Sequence, residues 1–342
     1  MNKQLGLLIL VTLLAVGAGA WLTHQAQPGN DEPQLLFVDG INKAKDITAI
    51  QLKNSQGNLL QAELVDGEWV AKFDEFATNY PLNKTALAEF IQSLLQAKLI
   101  EAKTSKSENY HHLGVEGIDN VDSLATLVTI NRTNSSQAWQ VLIGNKVNSG
   151  QGNYVRLPEV AQSWKIDQTV TLPGSKFDWL KRPILNLHSD DISSISRTDN
   201  QAWTIVKGQD QSFNLQAIPR GRELRYPGVV SALVNSLIEL DFEQLLPLAD
   251  EQWQKAKIIT RLLVKTQSGQ QLQVKIANLD NQYFIQFSSE QLQGYWSDWT
   301  YQVSSFNAQQ LTKTLEDFLA ELPKATDDKP QTTEVEEGDS PQ

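Results

Sequence analysis

The chain has 342 residues, a net charge of −11, nine tryptophans and no cysteine. The missing cysteine excludes disulfides, a thiol nucleophile and lipid attachment through a thiol. The acidic balance, without a clustered basic face, excludes a nucleic-acid backbone as partner.

Leu5 to Leu22 (LGLLILVTLLAVGAGAWL) carries no charge. As a helix rising ~1.5 Å per residue it would reach about 27 Å, close to the ~30 Å of a bilayer's hydrocarbon core. Residues 1–22 therefore read as a single transmembrane anchor, with a cleaved signal peptide as the alternative, since Ala18-Gly19-Ala20 resembles a cleavage site. The run exceeds the usual apolar region of a signal peptide, and Trp21 suits the membrane interface. Lys3 is the sole cation before the run, whereas Asp31, Glu32 and Asp39 follow it. The positive-inside asymmetry then places the N-terminus in the cytoplasm and the body in the periplasm or other extracytoplasmic space, on the inner membrane. Residues 23–35, with Pro28, Gly29 and Pro33, read as a tether.

The remaining ~300 residues imply two domains of ordinary size. A self-similarity at a period near 145 residues predicts that these are two copies of one module, at 36–185 and 186–323. Asp46–Ile50 and Asp191–Ile195 each open a copy with an acidic turn and a strand. Each copy then has a tryptophan-bearing strand, at Glu68-Trp69-Val70 and at Ala202-Trp203-Thr204-Ile205, the second earlier than its expected place. Tyr80-Pro81 and Tyr226-Pro227, 146 positions apart, each precede a helical pattern.

In the first copy Asn83 suits an N-cap, and Leu87, Phe90, Ile91, Leu94 and Leu95 form one apolar stripe. In the second, Val229, Leu233, Val234, Leu237 and Ile238 repeat the spacing after Pro227. Leu124–Ile130 with Gln137–Ile143 reads as a hairpin, and Ile259–Val264 with Gln271–Ile276 as its counterpart. Asn153–Arg156 and Gln282–Ile285 predict a further strand in each copy, as do Ser163–Ile166 and Thr300–Val303. A closing helix is predicted from about Asn307, with Leu311, Leu315, Phe318, Leu319 and Leu322 on one side. Phe177–Pro183 reads as either an inter-domain clamp or a plain linker strand. The acidic residues 324–342 read as a disordered tail. The expected fold is α+β: two tandem, mainly antiparallel sheets, each with one main helix, behind the transmembrane helix.

Signatures of chemistry are missing. There is no G-x-S-x-G, S-x-x-K, phosphate-binding loop or H-E-x-x-H spacing. His111 and His112 are adjacent in a turn, His24 falls in the tether and His188 stands alone, so no metal set is expected. Asp74-Glu75 and Asp190-Asp191 read as turn or cap residues, because adjacency does not set two carboxylates across one bond. Gly144–Gly152 precedes a strand and reads as a hairpin loop. No catalytic residue and no cofactor is expected, and the chain reads as non-enzymatic. The aromatic cluster Tyr295, Trp296 and Trp299 is the candidate interaction surface, against the alternative of core packing.

The order of Trp69-Val70, Tyr80-Pro81, Tyr110-His-His-Leu-Gly114, Leu142-Ile143-Gly144, Asn153-Tyr154-Val155-Arg156 and Trp179-Leu180-Lys181-Arg182 behind a membrane segment resembles the family grouped as domain of unknown function 4340. The resemblance is closest over Leu36 to Arg182 and looser in the second copy. It implies a membrane-anchored protein of the kind often encoded beside ABC transporters related to gliding-motility systems, and offers no catalytic residues. The expected function is an extracytoplasmic accessory or scaffold protein associated with an ABC-type transport system, its partners being integral transporter subunits or envelope proteins. The alternative is an envelope module that binds glycan or peptide in an aromatic groove.

Overall fold

Alternating apolar positions and tight turns build this chain almost wholly from antiparallel ladders. The computed structural model describes residues 33–321, and the chain divides into two compact units, one ending at Lys181 and the next beginning at Arg182. The apolar run at 1–22, most of the tether and the acidic tail at 324–342 lie outside the described residues. Among the described residues no helix is long and apolar enough to cross a membrane.

The first unit opens with β1 (Gln34–Leu35), β2 (Ile47–Asn54), β3 (Gly57–Val65), β4 (Glu68–Phe73) and β5 (Phe76–Pro81). Helix α1 (Lys84–Gln96) leads to β6 (Lys98–Ala102) and the single turn α2 (Tyr110–Leu113), and β7 (Thr126–Arg132), β8 (Trp139–Lys146), β9 (Asn153–Arg156) and β10 (Ser163–Ile166) follow. They form a ten-stranded sheet in the order β1-β6-β10-β9-β8-β7-β2-β3-β4-β5. The β3–β4 connection is the two-residue turn Asp66-Gly67, both at positive φ (50° and 82°), the geometry that matches strand twist. In α1 the Asn83 side chain accepts from the amides of Thr85 and Ala86 at 3.1 and 3.2 Å, and Leu87, Phe90, Leu94 and Leu95 are buried, as the stripe predicts. Ile50, Leu52, Val128, Ile130, Val141 and Ile143 supply the centre of the sheet's core.

The second unit runs β11 (Ile192–Arg197), β12 (Trp203–Lys207), β13 (Phe213–Leu215), α3 (Val229–Ile238), β14 (Gln244–Pro247) and α4 (Glu251–Lys255). It continues with β15 (Lys257–Thr266), β16 (Gln271–Leu279), β17 (Gln282–Ser288), β18 (Trp299–Val303), α5 (Ser305–Leu311) and α6 (Leu315–Phe318). Its eight strands are ordered β13-β12-β11-β15-β16-β17-β18-β14. Helix α3 packs against α5 and buries Val229, Val230, Leu233, Val234 and Leu237. Both sheets are antiparallel at every pairing, so the α+β class with mainly antiparallel sheet holds.

Read from the opposite edge, the second sheet's order β14-β18-β17-β16-β15-β11-β12-β13 retraces β6-β10-β9-β8-β7-β2-β3-β4 of the first. This correspondence corrects the pairing of tryptophans: Trp69 lies in β4, whereas Trp203 lies in β12, the counterpart of β3. The two Tyr-Pro pairs also differ. Tyr80 ends a strand and is fully buried, while Tyr226 sits in a turn and is 46% exposed, with the helix starting at Val229.

Two further expectations are corrected. Gln34 and Leu35, assigned to the tether, pair with Leu99 and Lys98 as an edge strand. The predicted closing helix is two short helices, because Thr314 and Asp317 form a capping box that starts a new helix after Leu311.

Candidate functional site

The aromatic cluster nominated as an interaction surface is largely turned inward. Trp299 is 1% exposed in β18, and Trp296 is 7% exposed with its ring edge-on to Phe287 at 6.3 Å. Neither offers an open face for stacking, which corrects the expectation of a platform. Strand side chains project from the sheet's faces, and Trp299 of β18, an inner strand between β17 and β14, projects to a face closed by packing. Tyr295 is half-buried and its hydroxyl donates to the Ile184 carbonyl at 2.8 Å. Burial pushes the phenol up to about 12.

The short motifs of the first unit, scattered over more than a hundred positions, converge into two structural clasps. In the first, the Arg156 guanidinium lies 4.5 Å from the Tyr110 ring centroid. Its Nε donates to the Val115 carbonyl and its Nη1 to the Pro158 carbonyl, both at 3.0 Å, and the Tyr110 hydroxyl donates to the Ala161 carbonyl at 2.6 Å. Gly114 closes α2 in the left-handed region at φ 66°. Gly144 passes so close that a Cβ there would sit 2.3 Å from the Leu113 carbonyl oxygen. Asn153 donates to the Gly144 carbonyl and accepts from the Val170 amide.

The second clasp ties the last residues of the unit to the junction of β5 and α1. Lys181 N donates to the Pro81 carbonyl and Asn83 N to the Trp179 carbonyl, both at 2.8 Å. The Trp179 ring packs on Phe90 of α1 at 4.9 Å, so of the two readings of Phe177–Pro183 its Trp179 belongs to the first unit's core. Arg182 begins the second unit, pairs with Asp241 and lies over the Phe242 ring at 4.2 Å.

The paired acids are likewise engaged in structure. Asp74 accepts from Asn58 at 2.7 Å and Gln61 at 2.9 Å, and Glu75 pairs with Lys176 around a cleft of only about 30 Å³. Asp190 accepts from Lys207 at 2.8 Å, which holds its carboxyl below the usual value, and Asp191 caps the turn through the His188 amide. His111 and His112 are exposed with rings 3.7 Å apart, and among the described residues no His, Cys, Asp or Glu cluster could hold a metal.

Sequence reasoning missed Arg197. This side chain, 6% exposed at the end of β11, donates to the carbonyls of Thr312, Lys313 and Ile259 and pairs with Asp199 at 2.8 Å. Trp203 Nε1 adds a bond to the Lys313 carbonyl. Carbonyls freed where α5 ends are thus satisfied from β11 and β12, which holds the break between α5 and α6. Burial works to raise the Asp199 carboxyl, but hydrogen bonds from Arg197 and from the Gln201 and Arg261 amides outweigh it and keep it low. The Arg197–Asp199 spacing is unremarkable by itself, and the carbonyls that Arg197 binds lie 62 to 116 positions away.

The first unit carries an open groove of about 430 Å³ lined by Phe37, Val38, Arg132, Trp139, Pro158 and Val160 among others. Phe37 stacks on Trp139 at 5.1 Å, and the Arg132 guanidinium lies over the Trp139 ring, 3.9 Å from its centroid.

No curated protein and no solved structure matches the chain. Residues 69–260 match the family described as Domain of unknown function (DUF4340), from Trp69 in β4 to Thr260 in β15, so the match takes in parts of both units rather than centring on the first. Because it covers more than half of the 342 residues, the chain belongs to that family.

Proposed function

We propose that this protein is a non-enzymatic accessory or scaffold subunit. Its N-terminal apolar run anchors it in the cytoplasmic membrane, both units stand on the extracytoplasmic side, and it serves an ABC-type transport system through contacts with integral subunits. The observation that carries this reading is the clasp of Tyr110, Gly114, Gly144, Asn153 and Arg156: the side chains through which the chain resembles its family are consumed in bracing a sheet. The shared strand order supports descent of the two units from one duplicated module, which enlarges the surface offered to partners. Val121 and Leu124, 80% and 70% exposed on the loop before β7, supply an apolar contact of the kind that marks protein interfaces.

The rival reading, a glycan- or peptide-binding module, loses the open aromatic faces on which it relied, since Trp296 and Trp299 are covered. Purification of the tagged full chain in mild detergent is expected to co-isolate the membrane-spanning subunits of an ABC-type transporter, identified by mass spectrometry. Substitutions V121D and L124D are expected to reduce that recovery. Isolation of the chain alone after cross-linking in intact cells would overturn the proposal.

A further inference from the structure

We propose that one end of the first unit, bearing Val38, Ile41, Val160 and the Trp139–Arg132 pair, rests in the headgroup interface of the bilayer. This inference rests on the reading of residues 5–22 as an anchor and adds which surface of the body meets lipid.

The tether's point of attachment favours this end. Only residues 23–32 separate the apolar run from the described structure, and ten residues reach at most ~35 Å when fully extended. The chain then forms β1 at the sheet's edge and passes directly through Leu36, Phe37 and Val38, which line the 430 Å³ groove. Val38 is 73% exposed, Val160 across the groove is 42% exposed, and Ile41 in the following turn is 56% exposed. A short tether thus delivers exposed aliphatic side chains beside the membrane.

The chemistry of the same end agrees. Trp139 presents an apolar ring with the Arg132 guanidinium over it at 3.9 Å, and Arg132 Nη2 reaches the Gln137 carbonyl at 3.0 Å. An amphipathic indole with a cation over its face suits the boundary between acyl chains and water. The nearby Asp39 carboxylate faces Lys43 at 3.9 Å and Lys45 follows in the same turn, which offsets the charge of Asp39 and of the exposed Glu159 that also lines the groove.

The exposed pair Val121 and Leu124 lies far from this end. Arg132, at the close of β7, is opposite Ile47, whereas Leu127 near its start is opposite Lys53. Seven residues of strand span about 23 Å. Leu124 precedes β7, and the Ser123 carbonyl accepts from Ser55 Oγ in the β2–β3 turn, so Val121 and Leu124 occupy the opposite end of the sheet.

Because the chain has no cysteine, single labels can be placed cleanly. The full chain carrying V160C, I41C or V121C, each labelled with an environment-sensitive fluorophore, is reconstituted into nanodiscs of phosphatidylcholine and phosphatidylglycerol. Nitroxide-headgroup lipid is then added as quencher. The expected result is at least twofold stronger quenching and a blue-shifted emission at V160C and I41C, with V121C behaving as in water. Co-elution with the discs but equal, water-like emission at all three positions would overturn this inference while leaving the anchor intact. Elution apart from the discs would overturn the anchor and this inference together.

Discussion

The Arg156 guanidinium lies over the Tyr110 ring, 4.5 Å from its centroid, while each of the two side chains also bonds to backbone carbonyls of neighbouring loops. A cation 8% exposed with carbonyl partners in place of a carboxylate can be removed only by leaving those oxygens unpaired. Arg156→Met is therefore expected to destabilise the first unit by about 3 kcal/mol, the upper range for stranding buried acceptors. Arg156→Lys should not restore it, because an ammonium cannot reproduce the planar fork. Tyr110→Phe should cost about 1 kcal/mol, through the lost bond to Ala161. Hydrogen exchange of the amides of residues 110–115 checks all three: an unchanged exchange rate in Arg156→Met would refute the clasp.

Gly144 tests the same region by crowding. A Cβ there would meet the carbonyl oxygens of Leu113 and Gly114 at 2.3 and 2.7 Å, both backbone atoms that cannot swing aside. Gly144→Ala is expected to cost about 1–3 kcal/mol, as overpacking does. Gly117→Ala, with nothing within 4 Å, should change stability by less than about 0.5 kcal/mol. Thermal unfolding of the two variants side by side decides the matter.

Arg197 and Asp199 form an ion pair whose side chains are 6% and 12% exposed. Arg197→Met is expected to cost about 3–5 kcal/mol, since it removes the cation paired with the Asp199 carboxylate and the guanidinium bonds to the Thr312, Lys313 and Ile259 carbonyls. Acid dependence follows from the lowered Asp199 carboxyl. A depressed folded value means that the stabilisation is present above the unfolded carboxylate's value near ~3.9 and is lost as pH falls through the folded value. Asp199→Asn should flatten the acid limb of the stability curve of the second unit; an acid limb identical to that of the parent would contradict the pairing.

Tyr295 gives the alkaline counterpart. Its phenol is pushed up to about 12, so its contribution is intact below the unfolded value near ~10 and declines as pH rises toward the folded value. Tyr295→Phe should remove that alkaline decline and forfeit about 1 kcal/mol through the lost bond to Ile184. Ultraviolet titration of tyrosinate, comparing parent and variant, is expected to lose one late-ionising phenol.

Much of the fold was legible because its signals are local. The stripe Leu87, Phe90, Leu94 and Leu95 with Asn83 at its start needs only neighbours three or four positions away, and it appears as α1 with that cap. The hairpins β7–β8 and β15–β16 follow from two-residue alternation and short turns. The closing helix failed for a related reason: Leu311, Leu315 and Phe318 keep a helical stripe, but Thr314 and Asp317 prefer each other to the continuing ladder. Arg197 and Trp203 then claim the carbonyls released between them.

The apolar N-terminal run, the absence of thiols, the antiparallel class and the two main helices were all readable along the chain, since each depends on composition or on residues a turn apart. Tertiary structure alone decided that Trp296 and Trp299 are covered, that Tyr80 is buried while Tyr226 is exposed, and that Tyr110 meets Arg156. Exposure and pairing of this kind are set by which distant strands lie alongside, and a residue's own neighbours along the chain carry no record of that.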